Sequence, residues 1–187
     1  MTEPFEVAEK DTTPDVIDYV LRRLEKGDVR HVVVATSSGV TGSRFSEALA
    51  GEDIELVCVS HHAGFRSGDL LDLAPEYASD LREAKVPVLI ASHSLSGVGR
   101  SISKQFGGAT PVEMIAHTLR LFGQGMKVCV EIAVMAADAG LIPTDCDVIC
   151  VAGTGRGADT AVVLRPAHAN TFFDLRIREI LCKPIAC

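Results

Sequence analysis

Two glycine-bearing turns and three histidines are the residues of this chain best suited to chemistry. Residues 31–45 read HVVVATSSGVTGSRF, a β-branched apolar run that stops at small hydroxyl residues and glycines before a helical pattern resumes. Gly39 and Gly42 let the backbone turn tightly and come close to a ligand. Ser37, Ser38, Thr41 and Ser43 offer hydroxyls there, and the first N–H groups of the following helix point outward. Thr36, Ser37, Ser38, Gly39, Val40 and Thr41 therefore form a candidate phosphate cradle. It is not a Walker loop, because no Gly-Lys-Ser/Thr follows and nothing places Mg²⁺ beside a transferable γ-phosphate. The bland alternative is a polar turn that caps its own helix, since Ser, Thr and Gly do this routinely.

The second turn, GTGRGAD, comprises Gly153, Thr154, Gly155, Arg156, Gly157, Ala158 and Asp159. It fails as a dinucleotide fingerprint, because a Rossmann glycine motif opens a helix whereas this one leads into a strand pattern. It reads either as a plain hairpin or as a backbone loop whose Arg156 grips an anion, guanidinium geometry being suited to phosphate. His61, His62 and His93 invite comparison with a metal site. Adjacent strand residues point oppositely, which sets His61 and His62 against sharing one ion. A serine hydrolase is not expected, because the SHSLSG turn after the third strand lacks the first glycine of a GxSxG elbow and no acid and histidine follow in the expected arrangement.

The elements that must position these residues follow from periodicity. Thr12 or Thr13 caps a helix beginning at Pro14, with Ile17, Val20, Leu21 and Leu24 as its stripe and Gly27 as its stop. Runs at 31–36, 54–60, 86–93 and 147–153 are continuously apolar, the habit of strands covered on both faces in parallel sheets. Helical patterns lie between them at 43–50, 75–85, 111–122 and 126–139. The expected architecture is α/β, a three-layer α/β/α arrangement in one domain spanning 1–187. A fifth run, 159–166, follows the fourth too closely for a crossover, so it is expected to return antiparallel at an edge. A last amphipathic helix is expected over 172–182, packing Phe173, Ile177, Ile180 and Leu181. The 126–139 helix is apolar nearly all round except for Glu131. It reads as a core helix with Glu131 at a rim or on backbone, or as a subunit interface with Glu131 paired across it.

Composition narrows the function classes. A chain of 187 residues, 47% hydrophobic and 23% charged, has what it needs to bury a core. No apolar stretch is long enough to span a bilayer, and the start MTEPFEVAEKDTTPD is acidic where a secretory signal is basic, so a cytoplasmic protein with no membrane partner is expected. A net charge of −7 with no basic run argues against nucleic acid. The six cysteines, Cys58, Cys129, Cys146, Cys150, Cys182 and Cys187, are expected to be reduced and mostly buried.

The ATSSGVTG turn after the first strand, together with the terminal GTGRGADTAVVL hairpin, resembles the carboxy-terminal domain of pyruvate kinase. There, a Ser/Thr-rich turn holds a phosphate of an allosteric sugar bisphosphate. The chain is more closely similar to stand-alone proteins of that domain type, through SHHAGFRSG, SHSLSGVGRSISKQFGG, TLRLFGQGMKVCVEIAVMAADAGLIP and GTGRGADTA. This resemblance implies a five-stranded mixed sheet in the order 3-2-1-4-5 with strand five antiparallel, and FMN as the bound ligand. Kinase activity is not expected, since the chain has no room for a separate catalytic barrel.

With that order, His93, Ser94, His61, His62, the 36–41 turn and the 153–159 turn line one sheet edge. A ligand anchored at the first strand reaches the third, roughly 10 Å away. Phe65 and the histidines can meet a flat ring there, and Arg44, Arg66, Arg100, Lys104 and Arg156 would concentrate positive charge at the same mouth. The residues leave three readings open: a flavin nucleotide-binding protein, a regulatory module for another phosphorylated metabolite, or a flavin-independent enzyme using His93 or His62 as acid or base. Assembly as a homo-oligomer is expected from the apolar helix.

Overall fold

The computed structural model describes residues 3–5, 11–66 and 68–185. Its strands are β1 (Glu3–Phe5), β2 (His31–Ala35), β3 (Glu55–His61), β4 (Val88–Ala91), β5 (Val148–Ala152), β6 (Thr160–Arg165) and β7 (Arg176–Pro184). The helices are α1 (Thr13–Leu24), α2 (Val40–Ala48), α3 (Pro75–Glu83), α4 (Val98–Phe106), α5 (Pro111–Arg120) and α6 (Gln124–Asp138). All seven strands form one mixed sheet in the order β1-β7-β6-β5-β2-β3-β4. β2, β3, β4 and β5 are mutually parallel, whereas β6 runs antiparallel to β5. The expected order is thus present as the core of a wider sheet.

Alternation along β2 explains the layering. Val32 and Val34 face Val16 and Val20 of α1, Phe45 of α2 and Leu81 of α3. Val33 faces the opposite way, toward Met126, Cys129, Ile132 and Ala136 of α6. α6 is buried on nearly every side because α5 closes its outer face, where Ala116 and Val130 share a cluster with Leu95. α5 starts on a capping box in which Thr110 and Glu113 satisfy each other's backbone N–H groups. Cys58, Cys129, Cys150 and Cys182 are buried free thiols, Cys146 is half-buried, and Cys187 lies outside the described residues. Burial pushes the Cys58 thiol up to about 12.

Three expectations need correction. The 172–182 helix does not form: a short 3₁₀ turn, Ala169–Asp174, leads into β7, which pairs antiparallel with β6. The spacing of Phe173, Ile177 and Ile180 fits a helix, but the open edge of β6 offers a full set of backbone hydrogen bonds, and that tertiary pairing prevails over the local pattern. β6 is accordingly an interior strand, with β7 and then β1 beyond it. α4 occupies a stretch for which no helix is expected; Val98, Ile102 and Phe106 recur every four residues but all face solvent. Glu179 of β7 and Asp28 both accept from the buried Arg23 guanidinium, fastening α1 to β7. Among the described residues, no helix is long and apolar enough to cross a membrane.

Helix α6 meets β6 at Gly125 with no room to spare. A Cβ there would lie 2.2 Å from Thr160 Oγ1 and 2.7 Å from Asp159 Oδ1. Gly125→Ala is expected to destabilise the protein by about 1–3 kcal/mol, read as a lower denaturation midpoint with unchanged m-value.

Candidate functional site

The turn after β2 is built by its neighbours. Thr36 extends the β2–β3 pairing through its N–H to Val59 O at 2.9 Å, and its buried hydroxyl accepts the Gly42 N–H at 3.2 Å. Its side chain thereby caps α2 from inside and does not face the mouth. α2 begins at Val40, three residues earlier than the periodicity suggests, so Val40 and Thr41 supply first-turn N–H groups without helical acceptors. Gly39 precedes them at φ 105°, and a Cβ there would lie 2.3 Å from Tyr77 Cβ. Only glycine combines that left-handed angle with so close an approach. Two further bonds clamp the turn, from Ser60 Oγ to Ser37 O at 3.0 Å and from Ala74 N to Ser38 O at 3.0 Å. Ser38 is exposed and Ser37 half-buried.

β5 lies directly beside β2, so the 153–159 turn leaves the same edge of the sheet as the 36–41 turn. The start of α1 links the two. Thr12 donates to Ala158 O at 2.7 Å and Thr13 Oγ1 accepts from Ala158 N at 3.0 Å, while Asp11 pairs with Arg44 of α2. Asp159 is engaged internally, accepting from Thr154 N and from the Thr160 hydroxyl at 2.7 and 2.6 Å. Gly153 and Gly157 are needed for packing, since a Cβ at Gly153 would lie 2.3 Å from Gly157 O. Thr154, Gly155 and Arg156 remain exposed at the tip.

The rings gather at the ends of β3 and β4. Phe65 lies with its centroid 3.9 Å from His61, 4.9 Å from His93 and 5.8 Å from His62. His61 and His62 both reach His93, at 5.1 and 6.0 Å, contrary to the expectation that neighbours in a strand diverge. β3 ends at His61, so strand alternation no longer governs His62. Among the described residues, no group of three or more His, Cys, Asp or Glu is placed to hold a metal ion.

Two acids organise these histidines: Asp72, which the sequence reading does not single out, and Glu131, whose link to His93 it does not foresee. Asp72 Oδ2 is 2.6 Å from His61 Nδ1 and 3.2 Å from Arg66 Nε, and His61 Nε2 faces Ser37 Oγ at 3.5 Å. Glu131, buried on α6, accepts from Leu95 N at 2.9 Å and from Lys127 Nζ, and stands 3.9 Å from His93 Nδ1. The Leu95 bond matches the backbone-bonded reading. Ser94 reaches the α6 backbone at Glu131 O rather than the ring cluster. Asp72 sits in an irregular loop with no periodicity to reveal it, and Glu131 is some forty residues of chain from His93. The expected positive mouth is smaller than five cations, because Arg44 and Arg66 are paired to carboxylates.

The family model of the pyruvate kinase alpha/beta domain matches residues 15–164, from α1 to the end of β6. The chain belongs to the pyruvate kinase alpha/beta domain family. That match covers every strand of the expected five, both glycine turns and the ring cluster; β7 and its pairing with β1 lie beyond it.

Burial lowers the pKa of His93 to about 4, outweighing the nearby Glu131 carboxylate, which acts the other way. Burial likewise pulls the Lys127 ammonium below its ordinary value. The unfolded chain binds the His93 proton more readily, so this residue's contribution to stability is complete above pH 6.5 and is lost as pH falls through about 4. His93→Gln is expected to remove about 3 kcal/mol of acid destabilisation between pH 6.5 and 4. Denaturation midpoints of the two proteins across that range, with the His93 ring titration by NMR, check it.

Proposed function

We propose that this protein binds a phosphate-bearing ligand, FMN, across the carboxyl ends of β5, β2, β3 and β4. The observation that carries the reading is the gathering of Phe65, His61, His62 and His93 within 3.9 to 6.0 Å of one another, one strand away from a helix start with free N–H groups. A phosphate suits the turn formed by Ser37, Ser38, Gly39, Val40 and Thr41, where the exposed Ser38 and half-buried Ser37 hydroxyls lie beside the positive end of α2, although Thr41 itself is buried. Arg156, exposed on the neighbouring hairpin tip, adds a cation on the side toward β5. The isoalloxazine ring suits the wall of Phe65 and the imidazoles, which offers flat apolar surface and polar edges together. FMN would supply hydride or single-electron chemistry when bound. His93, held neutral at ordinary pH, contributes a hydrogen bond rather than a charge to such a ligand.

Titration of flavin-free protein with FMN, followed by flavin fluorescence, tests the reading. Saturable quenching is expected, with Phe65→Ala weakening affinity by about 10-fold or more, the loss of one ring-stacking contact. Arg156→Ala is expected to weaken FMN with little effect on riboflavin, which lacks the phosphate. Protein that leaves FMN fluorescence unchanged but is stabilised by sugar phosphates would assign the turn to a phosphorylated metabolite instead.

A further inference from the structure

The contacts around Ser37 have the layout of an activated nucleophile. Asp72 Oδ2 lies 2.6 Å from His61 Nδ1, on the far side of the imidazole from Ser37 Oγ, which is 3.5 Å from Nε2. The carboxylate fixes which nitrogen carries the proton and leaves Nε2 free to accept one. A serine-to-base separation slightly longer than a good hydrogen bond is usual before substrate is present. Among the described residues, Ser37 Oγ has no other hydrogen-bond partner. The acid side chain is 14% exposed and the imidazole 21%, so the pair is shielded while its serine end opens to the mouth.

Local backbone geometry points the same way. Ser37 follows β2 by two residues and precedes α2 by three, and Gly39 stands two residues after it, a strand–serine–helix turn in which Ala35 takes the place of the first glycine of an elbow. Close packing of Tyr77 on Gly39 and the two bonds that hold the Ser37 and Ser38 carbonyls fix the turn. Val40 and Thr41, in the first turn of α2, have N–H groups with no hydrogen-bond partner among the described residues, and these can receive a developing negative oxygen.

We propose that Ser37 is a nucleophile with His61 as its general base, Asp72 as the residue that positions His61, and carboxylic esters bearing an aromatic group as substrates. The aromatic group rests on Phe65, 3.9 Å from His61. His61 Nε2 takes the Ser37 proton as Oγ bonds to the carbonyl carbon. The tetrahedral species then collapses, breaking the bond to the alcohol oxygen, which leaves with the proton from His61. Water repeats the sequence on the acyl-serine, giving its proton to His61, releasing the carboxylic acid and returning the proton to Ser37. The sum is ester plus water giving acid plus alcohol, with nothing oxidised or reduced.

The inference shares the mouth with the FMN reading but does not rest on it, and flavin-free protein tests it. A fluorophosphonate probe is expected to add to Ser37, located by peptide mass, and p-nitrophenyl acetate to be hydrolysed with an initial burst. Ser37→Ala and His61→Gln should each lower kcat/KM by about 100-fold or more. Asp72→Asn should lower kcat with little change in KM and alter the pH profile, which a merely structural role would not do. Should Ser37→Ala fail to fold, Ser37→Cys keeps the size of the side chain and must still lose fluorophosphonate addition. Absence of probe on Ser37, or hydrolysis unchanged in Ser37→Ala or His61→Gln, overturns the proposal while leaving FMN titrations unaffected.

Discussion

The position of β2 between β3 and β5 is the constraint on which the rest depends. Val32, Val33 and Val34 pair in parallel with Leu56, Val57 and Cys58 on one side and with Ile149, Cys150 and Val151 on the other. Parallel pairing sets the carboxyl ends of all three strands on one edge, so the turns that follow them become neighbours although they are distant in the chain. A β-branched strand covered on both faces cannot slip register without turning its entire core set to the wrong layer. The mouth is therefore defined by the most deeply buried part of the molecule.

Around that mouth, polar side chains are fixed by partners rather than left to solvent. Asp11 holds Arg44, Asp72 holds both Arg66 and His61, and Glu131 holds Lys127 beneath His93. Such pairing costs desolvation when buried, most of all at the Lys127–Glu131 pair, and its return is orientation of the groups above it. The Leu95 backbone N–H and the Lys127 ammonium together satisfy Glu131, which explains how a carboxylate sits inside a helix otherwise apolar all round.

Much of this frame was legible in the sequence, and the reasons differ from element to element. Continuous apolar runs gave the four parallel strands, because burial on both faces leaves no polar alternation to confuse them. The brevity of GTGRGA gave the antiparallel return of β6 through chain geometry alone. β7 is hidden from the pattern because a segment rich in Ile, Leu and Arg satisfies either period, and only the free edge of β6 decides between them. α4 carries Val98, Ile102 and Phe106 at helical spacing, but this stripe is exposed among the described residues, so it lacks the buried face that marks the other helices. In the site, the turns and ring residues were visible as unusual composition. Asp72 was not, and Glu131 stood out only as the polar interruption of an apolar helix, because the links to His61 and His93 come from spatial contact rather than from any local pattern.

The four buried cysteines have a practical consequence. Cys58 and Cys150 sit on either side of the central strand, Cys182 on β7 and Cys129 on α6, so they sample both layers and the outer part of the sheet. Sequestered as neutral thiols, they are chemically silent toward alkylating reagents while the layers stay closed. The rate at which each is modified thus serves as a native clock for how often its own layer opens, with half-buried Cys146 marking the fast limit.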